Sequence, residues 1–266
     1  MEILGHQIQL DHLNTLLGKN QLPQAVLFFG PAGIGKSLIA ADLARQLNCQ
    51  AERDPSCDCR SCQLFAKQSH PDLLFLQSGE TNIIKKEEID ERMIPFVNTS
   101  PYMGQKKIVI ITDAELLNQQ AQNALLKTLE EPPAYVWIIL TTSQKDQLLP
   151  TVLSRCWQLA FFELSHQELT AFFSSHHVDQ SSSDLLQFVY DGKIGSIISC
   201  LNNQEELQSL SQSINDLAQL LSKSIADRLE WASNQPKLDL DSLNEYVYQL
   251  SLIWSRALKQ FNTKPD

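Results

Sequence analysis

Apolar residues along this chain fall first into short unbroken runs and later into helical spacing, and the change comes near residue 163. The early runs are Ala25–Phe29, Leu73–Leu76, 108–111, 136–140 and, more weakly, 159–162. Runs of strand length that are apolar on both faces and separated by helical patterns predict a parallel sheet covered on both sides. Between the third and fourth runs, Leu117, Ala121, Ala124, Leu125, Thr128 and Leu129 recur on one face of a helix expected over 114–131, ended by Pro132-Pro133. The fold class read from this pattern is α/β around a parallel central sheet.

Past Glu163 the strand signals stop. Ser165 and Glu168 have the spacing of a capping box, in which each side chain satisfies the other residue's free amide. The polar stretch 174–184 precedes a helix at 185–190, Asp191-Gly192 marks a turn, and another helix follows over 196–201. Two further helical runs follow, Leu207 to Leu229 and Leu243 to Leu258, divided by Pro236. Three domains are expected: 1–163, a small helical one at 164–203, and a helical C-terminal one at 204–266. The pair His176-His177 reads as solvated surface, and Cys156 and Cys200 as small buried apolar residues.

The first run leads straight into Gly30-Pro31-Ala32-Gly33-Ile34-Gly35-Lys36-Ser37, a complete Walker A loop, and then into a helix expected over 38–47. Backbone N–H groups of such a loop surround phosphate oxygens where a strand turns sharply into a helix N-terminus. Lys36 is placed to reach the β and γ phosphates, with the Ser37 hydroxyl on Mg²⁺. The predicted ligand is therefore ATP with Mg²⁺. Four of the six cysteines, Cys49, Cys57, Cys59 and Cys62, stand within fourteen residues in the spacing C-x7-C-x-C-x2-C. In a reducing compartment this clustering points to a closed structural Zn²⁺ site, with unligated or redox-labile thiols as the alternative.

The bulk properties narrow the setting. The 266 residues carry a net charge of −10, so contact with nucleic acid requires a local patch or partner subunits. No run is long enough to span a bilayer and no signal-peptide pattern follows Met1, so a cytoplasmic protein without a membrane role is expected.

Binding is not hydrolysis. The third strand is expected beside the phosphate loop and should end in the Walker B acids, an Asp for the Mg²⁺ shell and often a Glu that orients water. It ends instead in Thr112-Asp113-Ala114. With Thr112 at the metal position a neutral hydroxyl replaces a carboxylate. With Asp113 there, Ala114 takes the water-orienting position. Either register weakens hydrolysis.

The order of Pro23-Gln24-Ala25, the Walker A loop, the cysteine cluster, His70-Pro71-Asp72, the run Asn123-Ala124-Leu125-Leu126-Lys127-Thr128-Leu129-Glu130-Glu131-Pro132-Pro133 and Ser154-Arg155-Cys156 resembles the bacterial clamp-loader AAA+ ATPases of DNA polymerase III, the delta-prime and gamma/tau type subunits, over roughly residues 1–200. The resemblance implies an AAA+ module with a zinc module, a helical lid and a C-terminal collar domain that joins a pentameric ring. It implies partners of gamma/tau and delta type and, through the complex, the sliding clamp and primed DNA. It assigns Arg155 as an arginine finger acting in trans on a neighbour's γ-phosphate, and Thr142 as the sensor-1 residue. Motors of the family carry a lid arginine in Gly-Ser-x-Arg, where this chain reads Gly192-Lys193-Ile194-Gly195-Ser196 with Gly195 at the arginine position, and tau-type subunits add a long tail. These departures resemble the non-motor, delta-prime type. A gamma-type motor using Asp113 alone and a purely structural scaffold are the rival readings, and the short stretch after the lid is read as either a shortened or a diverged collar.

Overall fold

The computed structural model describes residues 5–51, 57–79 and 82–222. The helical runs expected around Leu243 to Leu258, the break at Pro236 and most of the expected 204–266 domain lie outside the described residues. The described residues fall into two compact units that divide between Glu163 and Leu164.

The first unit is the expected α/β arrangement. In chain order it contains α1 (Gln7–Gly18), β1 (Ala25–Phe29), α2 (Lys36–Leu47), α3 (Arg60–Ala66), β2 (Leu73–Leu76), α4 (Lys86–Glu88), a π-helical turn (Ile89–Met93), α5 (Ile94–Val97), β3 (Lys107–Ile111), α6 (Gln119–Glu130), β4 (Val136–Thr142), α7 (Pro150–Leu153) and β5 (Trp157–Ala160). All four strand pairings are parallel, in the order β2-β3-β4-β1-β5. β4 lies between β3 and the phosphate-loop strand, with Phe29 opposite Thr142.

Period-two alternation divides the core between the two sheet faces. Leu27, Val109, Ile111, Ile138 and Leu140 point to one side and meet Ile89, Met93, Leu125 and Leu129. Val26, Phe28, Ile108, Ile110 and Ile139 point to the other and meet Leu13, Ile39, Leu43 and Phe65. Each large side chain fully buried this way contributes about 1.5–3 kcal/mol, which is why the strands read as continuous apolar runs.

The helix expected from residue 114 begins at Gln119. Asp113 takes a left-handed conformation (φ 50°), a 3-10 turn covers Ala114–Leu116, and Asn118 caps α6 by accepting a hydrogen bond from the Ala121 amide at 2.8 Å. An available cap thus competes successfully with the apolar period at Leu117.

His70-Pro71-Asp72 acts as a polar brace under the sheet edge. The Asp72 carboxylate accepts backbone N–H bonds from Tyr102 (2.6 Å), Met103 (2.8 Å) and Gly104 (2.7 Å). His70 accepts the Asp72 amide at Nδ1 and meets Ser61 Oγ at Nε2, and that hydroxyl donates to the Asn48 carbonyl. Asn48 in turn pairs both ways with the backbone of Lys106. Burial opposes ionisation of Asp72, but the three amides and His70 outweigh it and hold the carboxyl below its usual value.

The second unit contains α8 (His166–Ser175), α9 (Gln180–Tyr190), α10 (Ile194–Asn202) and α11 (Gln204–Ser222). The capping box at Ser165 and Glu168 is formed. α9 starts five residues before the expected 185, because Asp179 caps it by accepting from the Ser182 amide at 2.9 Å. The expected turn is left-handed at both Asp191 and Gly192. Leu169, Phe172, Leu186, Val189, Ile197 and Cys200 are buried in this unit, while His176 and His177 are exposed.

Asp72→Asn keeps one carbonyl acceptor and loses the charge, so it should destabilise the first unit by about 2–4 kcal/mol, read as a lowered urea midpoint. Because the folded carboxyl is depressed, its stabilisation is complete above about pH 4 and lost as pH falls through the lower folded value. The variant should therefore show a flatter acid limb than the parent chain.

Candidate nucleotide site and thiol cluster

The Walker A residues connect β1 to α2 as the parallel topology requires. Gly30 (φ 148°) passes so close to the sheet edge that a Cβ there would lie 2.2 Å from the Phe161 carbonyl oxygen. Its amide donates to Thr142 O at 3.3 Å, which fixes the loop against the end of β4. Gly33 and Gly35 are also left-handed, and no side chain caps α2 at Gly35. Its first turn is thus an uncapped helix N-terminus, the arrangement that suits a phosphate. Pro31 is half-buried, Ala32, Gly33 and Ser37 are exposed, and Ile34 is buried. Lys36 is buried, and its ammonium donates to the carbonyls of Gly30 (2.8 Å) and Pro31 (2.7 Å), so the loop is folded around its own lysine. Burial lowers the Lys36 pKa, opposed by Glu115 and Asp113.

The end of β3 faces this lysine. Thr112 is buried, with its amide on Leu76 O at 3.0 Å. Asp113 is exposed, and its carboxyl is raised by burial and then by Glu115, with Lys36 opposing. Thr142 is fully buried and accepts the Gln144 amide at Oγ1 (3.1 Å). Glu115 has no place in the sequence expectation. The left-handed turn at Asp113 throws its carboxylate back onto the end of β4, where Oε1 accepts the Ser143 amide at 3.0 Å and the Ser143 hydroxyl. Burial raises Glu115, but these bonds and one from Thr142 outweigh it and keep it ionised. An acid two positions past Asp113 was the available signal. His6 was also missed: buried against the edge of the Phe161 ring, it meets the Ile34 carbonyl of the phosphate loop through Nε2 at 3.0 Å.

Arg155 stands elsewhere. It precedes β5, whose Trp157 pairs with Val26 while Ala160 pairs with Phe29, so it belongs to the opposite strand-end edge from the phosphate loop. Its guanidinium donates to Glu130 through Nε (2.7 Å) and Nη2, and to Thr151 O at 2.8 Å. The ion pair joins the Ser-Arg-Cys motif to the Leu-Glu-Glu-Pro-Pro motif. Arg155 does not meet Lys36, Thr112, Asp113 or Thr142.

The sulfurs of Cys49, Cys57, Cys59 and Cys62 all lie within 4.8 Å of one another. Zn–S bonds of about 2.3 Å imply S···S edges of about 3.8 Å in a tetrahedron, so the four donors fit a closed zinc site after a small contraction. Cys49 and Cys57 are already 3.6 Å apart. Burial pushes the Cys62 thiol up to about 12, with a hydrogen bond from Arg45 opposing. A cavity of about 540 Å³ lies between this cluster and the phosphate loop, with Ser37, Asp42, Cys57, Phe65, Phe75 and Asp113 in its wall.

A family profile described as "DNA polymerase III, delta subunit" matches residues 5–165, more than half of the chain. The chain belongs to that family. Among its relatives, the DNA polymerase III subunit delta' of Pseudomonas aeruginosa is 39% identical over 149 residues, 55% of this chain and 45% of that protein. The delta' subunit of Escherichia coli is 36% identical over 168 residues, 61% of this chain and 49% of that protein. The tau/gamma subunit of Haemophilus influenzae is 32% identical over 171 residues, 64% of this chain and 24% of that protein. The alignments thus span about half or less of these relatives' own length. A gamma subunit-related protein of Thermotoga maritima, known as a crystal structure, covers 91% of both chains at 19% identity and a TM-score of 0.46. No helix among the described residues is long and apolar enough to cross a membrane.

In this DNA polymerase III family member the loop glycines are not equivalent. Gly35→Ala meets no atom within 4 Å and should cost about 1–2 kcal/mol from its positive φ alone. Gly30→Ala adds a collision with backbone that no rotamer relieves, and should cost at least about 3 kcal/mol. Thermal unfolding of the two variants should rank them in that order.

Proposed function

We propose that this chain is a non-motor, delta-prime-type subunit of the bacterial DNA polymerase III clamp loader, working in the cytoplasm. In this reading it binds Mg²⁺-ATP weakly or turns it over poorly, and it lends Arg155 in trans to the nucleotide of a neighbouring subunit. Its partners are the gamma/tau and delta type subunits and, through the complex, the sliding clamp and primed DNA. Residues 164–203 serve as the lid, and the stretch from 204 belongs to the collar. The observation that carries the reading is the contrast between the two ends of the sheet. Where Lys36 could hold phosphates, the buried position directly after β3 is the neutral hydroxyl of Thr112, and the Asp113 carboxylate comes one position later. At the opposite edge Arg155 lies away from the phosphate loop of its own chain.

Each residue has a physical role in this reading. Backbone amides from Gly30 to Ser37 hold the phosphates, Lys36 exchanges its loop carbonyls for the β and γ oxygens, and Ser37 supports Mg²⁺, which would neutralise phosphate charge. Thr112, Asp113 and Thr142 line the γ-phosphate side. A planar, permanently charged guanidinium such as Arg155 offsets charge that develops on a transferring phosphoryl group. Cys49, Cys57, Cys59 and Cys62 would hold Zn²⁺ as a structural brace with no open position for substrate.

One observation favours the motor reading: Asp113 and Glu115 together present two carboxylates to Lys36. Steady-state ATP hydrolysis by the purified chain, with Lys36→Ala as the blank, decides between them. The expected rate equals the blank. A clear Lys36-dependent rate would make the chain a motor. In the reassembled loader, Arg155→Ala should slow hydrolysis by about 10³-fold at the one site it faces, so total turnover falls by that site's share. Nucleotide binding to this chain should stay unchanged. Unaltered turnover in the reassembled ring would remove the trans role.

A further inference from the structure

The helix that begins with Lys36 and Ser37 ends beside the thiol cluster, and one of its side chains reaches a sulfur. Arg45, in the last turn of α2, donates from Nη1 to Cys62 Sγ at 3.5 Å. It is well placed to stay there. Asp42, one turn earlier, accepts a hydrogen bond from Nε at 2.9 Å, the same oxygen stands 2.9 Å from Nη2 as an ion pair, and the Arg45 side chain is only 11% exposed. Asp42 is itself steadied by Gln46, whose amide donates to its second oxygen at 2.8 Å. Cys62 is 3% exposed, so this contact is shielded from water.

Four thiolates around Zn²⁺ carry a net charge of −2, which is unfavourable in a poorly solvated site. A guanidinium donating to one sulfur spreads that charge and fixes the ligand's direction. Groups in this position typically govern metal affinity by about 10–100-fold.

We propose that Arg45 is the positioning cation of the metal centre, held by Asp42, and that through it the metal braces the C-terminal end of the phosphate-loop helix. The inference rests on the zinc reading above. It adds that the Walker A helix takes part in metal retention, a task outside its own phosphate chemistry. Arg45 binds no metal itself, since it has no lone pair to offer.

The test uses the full chain, with Zn²⁺ affinity measured by chelator competition and the site probed separately by Co²⁺ titration. The parent chain should bind one Zn²⁺ and give a thiolate-to-cobalt charge-transfer band. Arg45→Met keeps the stem and removes the donor. Zn²⁺ affinity should fall by about 10-fold or more. The band should move to lower energy, because a thiolate without its hydrogen bond gives up charge more readily. A merely structural role for Arg45 would leave the band where it was. Arg45→Lys restores the charge without the fork and should recover part of the affinity. Asp42→Asn, which loosens the holder and leaves every sulfur untouched, should move both readouts in the same direction and serves if Arg45→Met does not fold. Stoichiometric metal binding with band and affinity unchanged in these variants would overturn the role of Arg45 and leave the zinc reading intact. A parent chain that takes up no Zn²⁺ would overturn both.

Discussion

In an all-parallel sheet every strand delivers its C-terminus to the same edge, and that constraint organises this protein. The order β2-β3-β4-β1-β5 makes the ends of β1, β4 and β3 successive neighbours, so the phosphate loop, Thr142 and Asp113 are set side by side by backbone pairing before any side chain contributes. The fit is close enough that the loop's first glycine passes beneath the Phe161 carbonyl with no room for a methyl group. The same constraint puts residues that precede a strand at the far edge, and this separates Arg155 from Lys36 without any dedicated device.

Two polar assemblies then stiffen the region between α2 and the sheet. The Asp72 brace ties the loop before β3 to the strand below it, while Asn48 and Ser61 carry the connection to the start of α3. The thiol cluster closes the other side of α3. Both meet the last turn of α2 or the residues just after it, so the phosphate-loop helix is uncapped by side chains at its N-terminus and braced by them at its C-terminus. Buried networks of this kind are worth most when every member is satisfied. Here the carboxylate of Asp72 and both ring nitrogens of His70 find partners.

Much of this was legible in the chain. The bounds of β1 and β2 agree with their apolar runs residue for residue, because both faces of each strand pack against apolar cores. α1 went unread although Leu10, Leu13 and Leu17 mark one face of it. The insertion of β4 between β1 and β3 was not legible, since local pattern carries no information about which strands become neighbours. The late start of α6 depended on Asn118 and on the left-handed Asp113, a choice between two competing local structures that the apolar period alone does not decide. In the site, the loop, the strand-end residues and the four cysteines could be picked out as chemistry-bearing groups. Glu115 could not be placed, because its partner Ser143 follows the end of another strand. His70-Pro71-Asp72 was visible as a motif, but its purpose depends on amides thirty residues away.

The pairing of Arg155 with Glu130 has a bearing on how two subunits would come together. The guanidinium is already paired in the single chain, so in the proposed trans role a neighbour's phosphate would displace a carboxylate. One ion pair is exchanged for another. The side chains are 30% and 48% exposed, and a pair in that setting is worth about 0–1 kcal/mol, so Glu130 acts as a guide for the arginine and not as a lock. Such an exchange also cancels most of the charge neutralised on contact. Docking through this residue would therefore respond only weakly to ionic strength, and occupancy of the neighbour's site, more than attraction between subunit surfaces, would decide when the arginine moves.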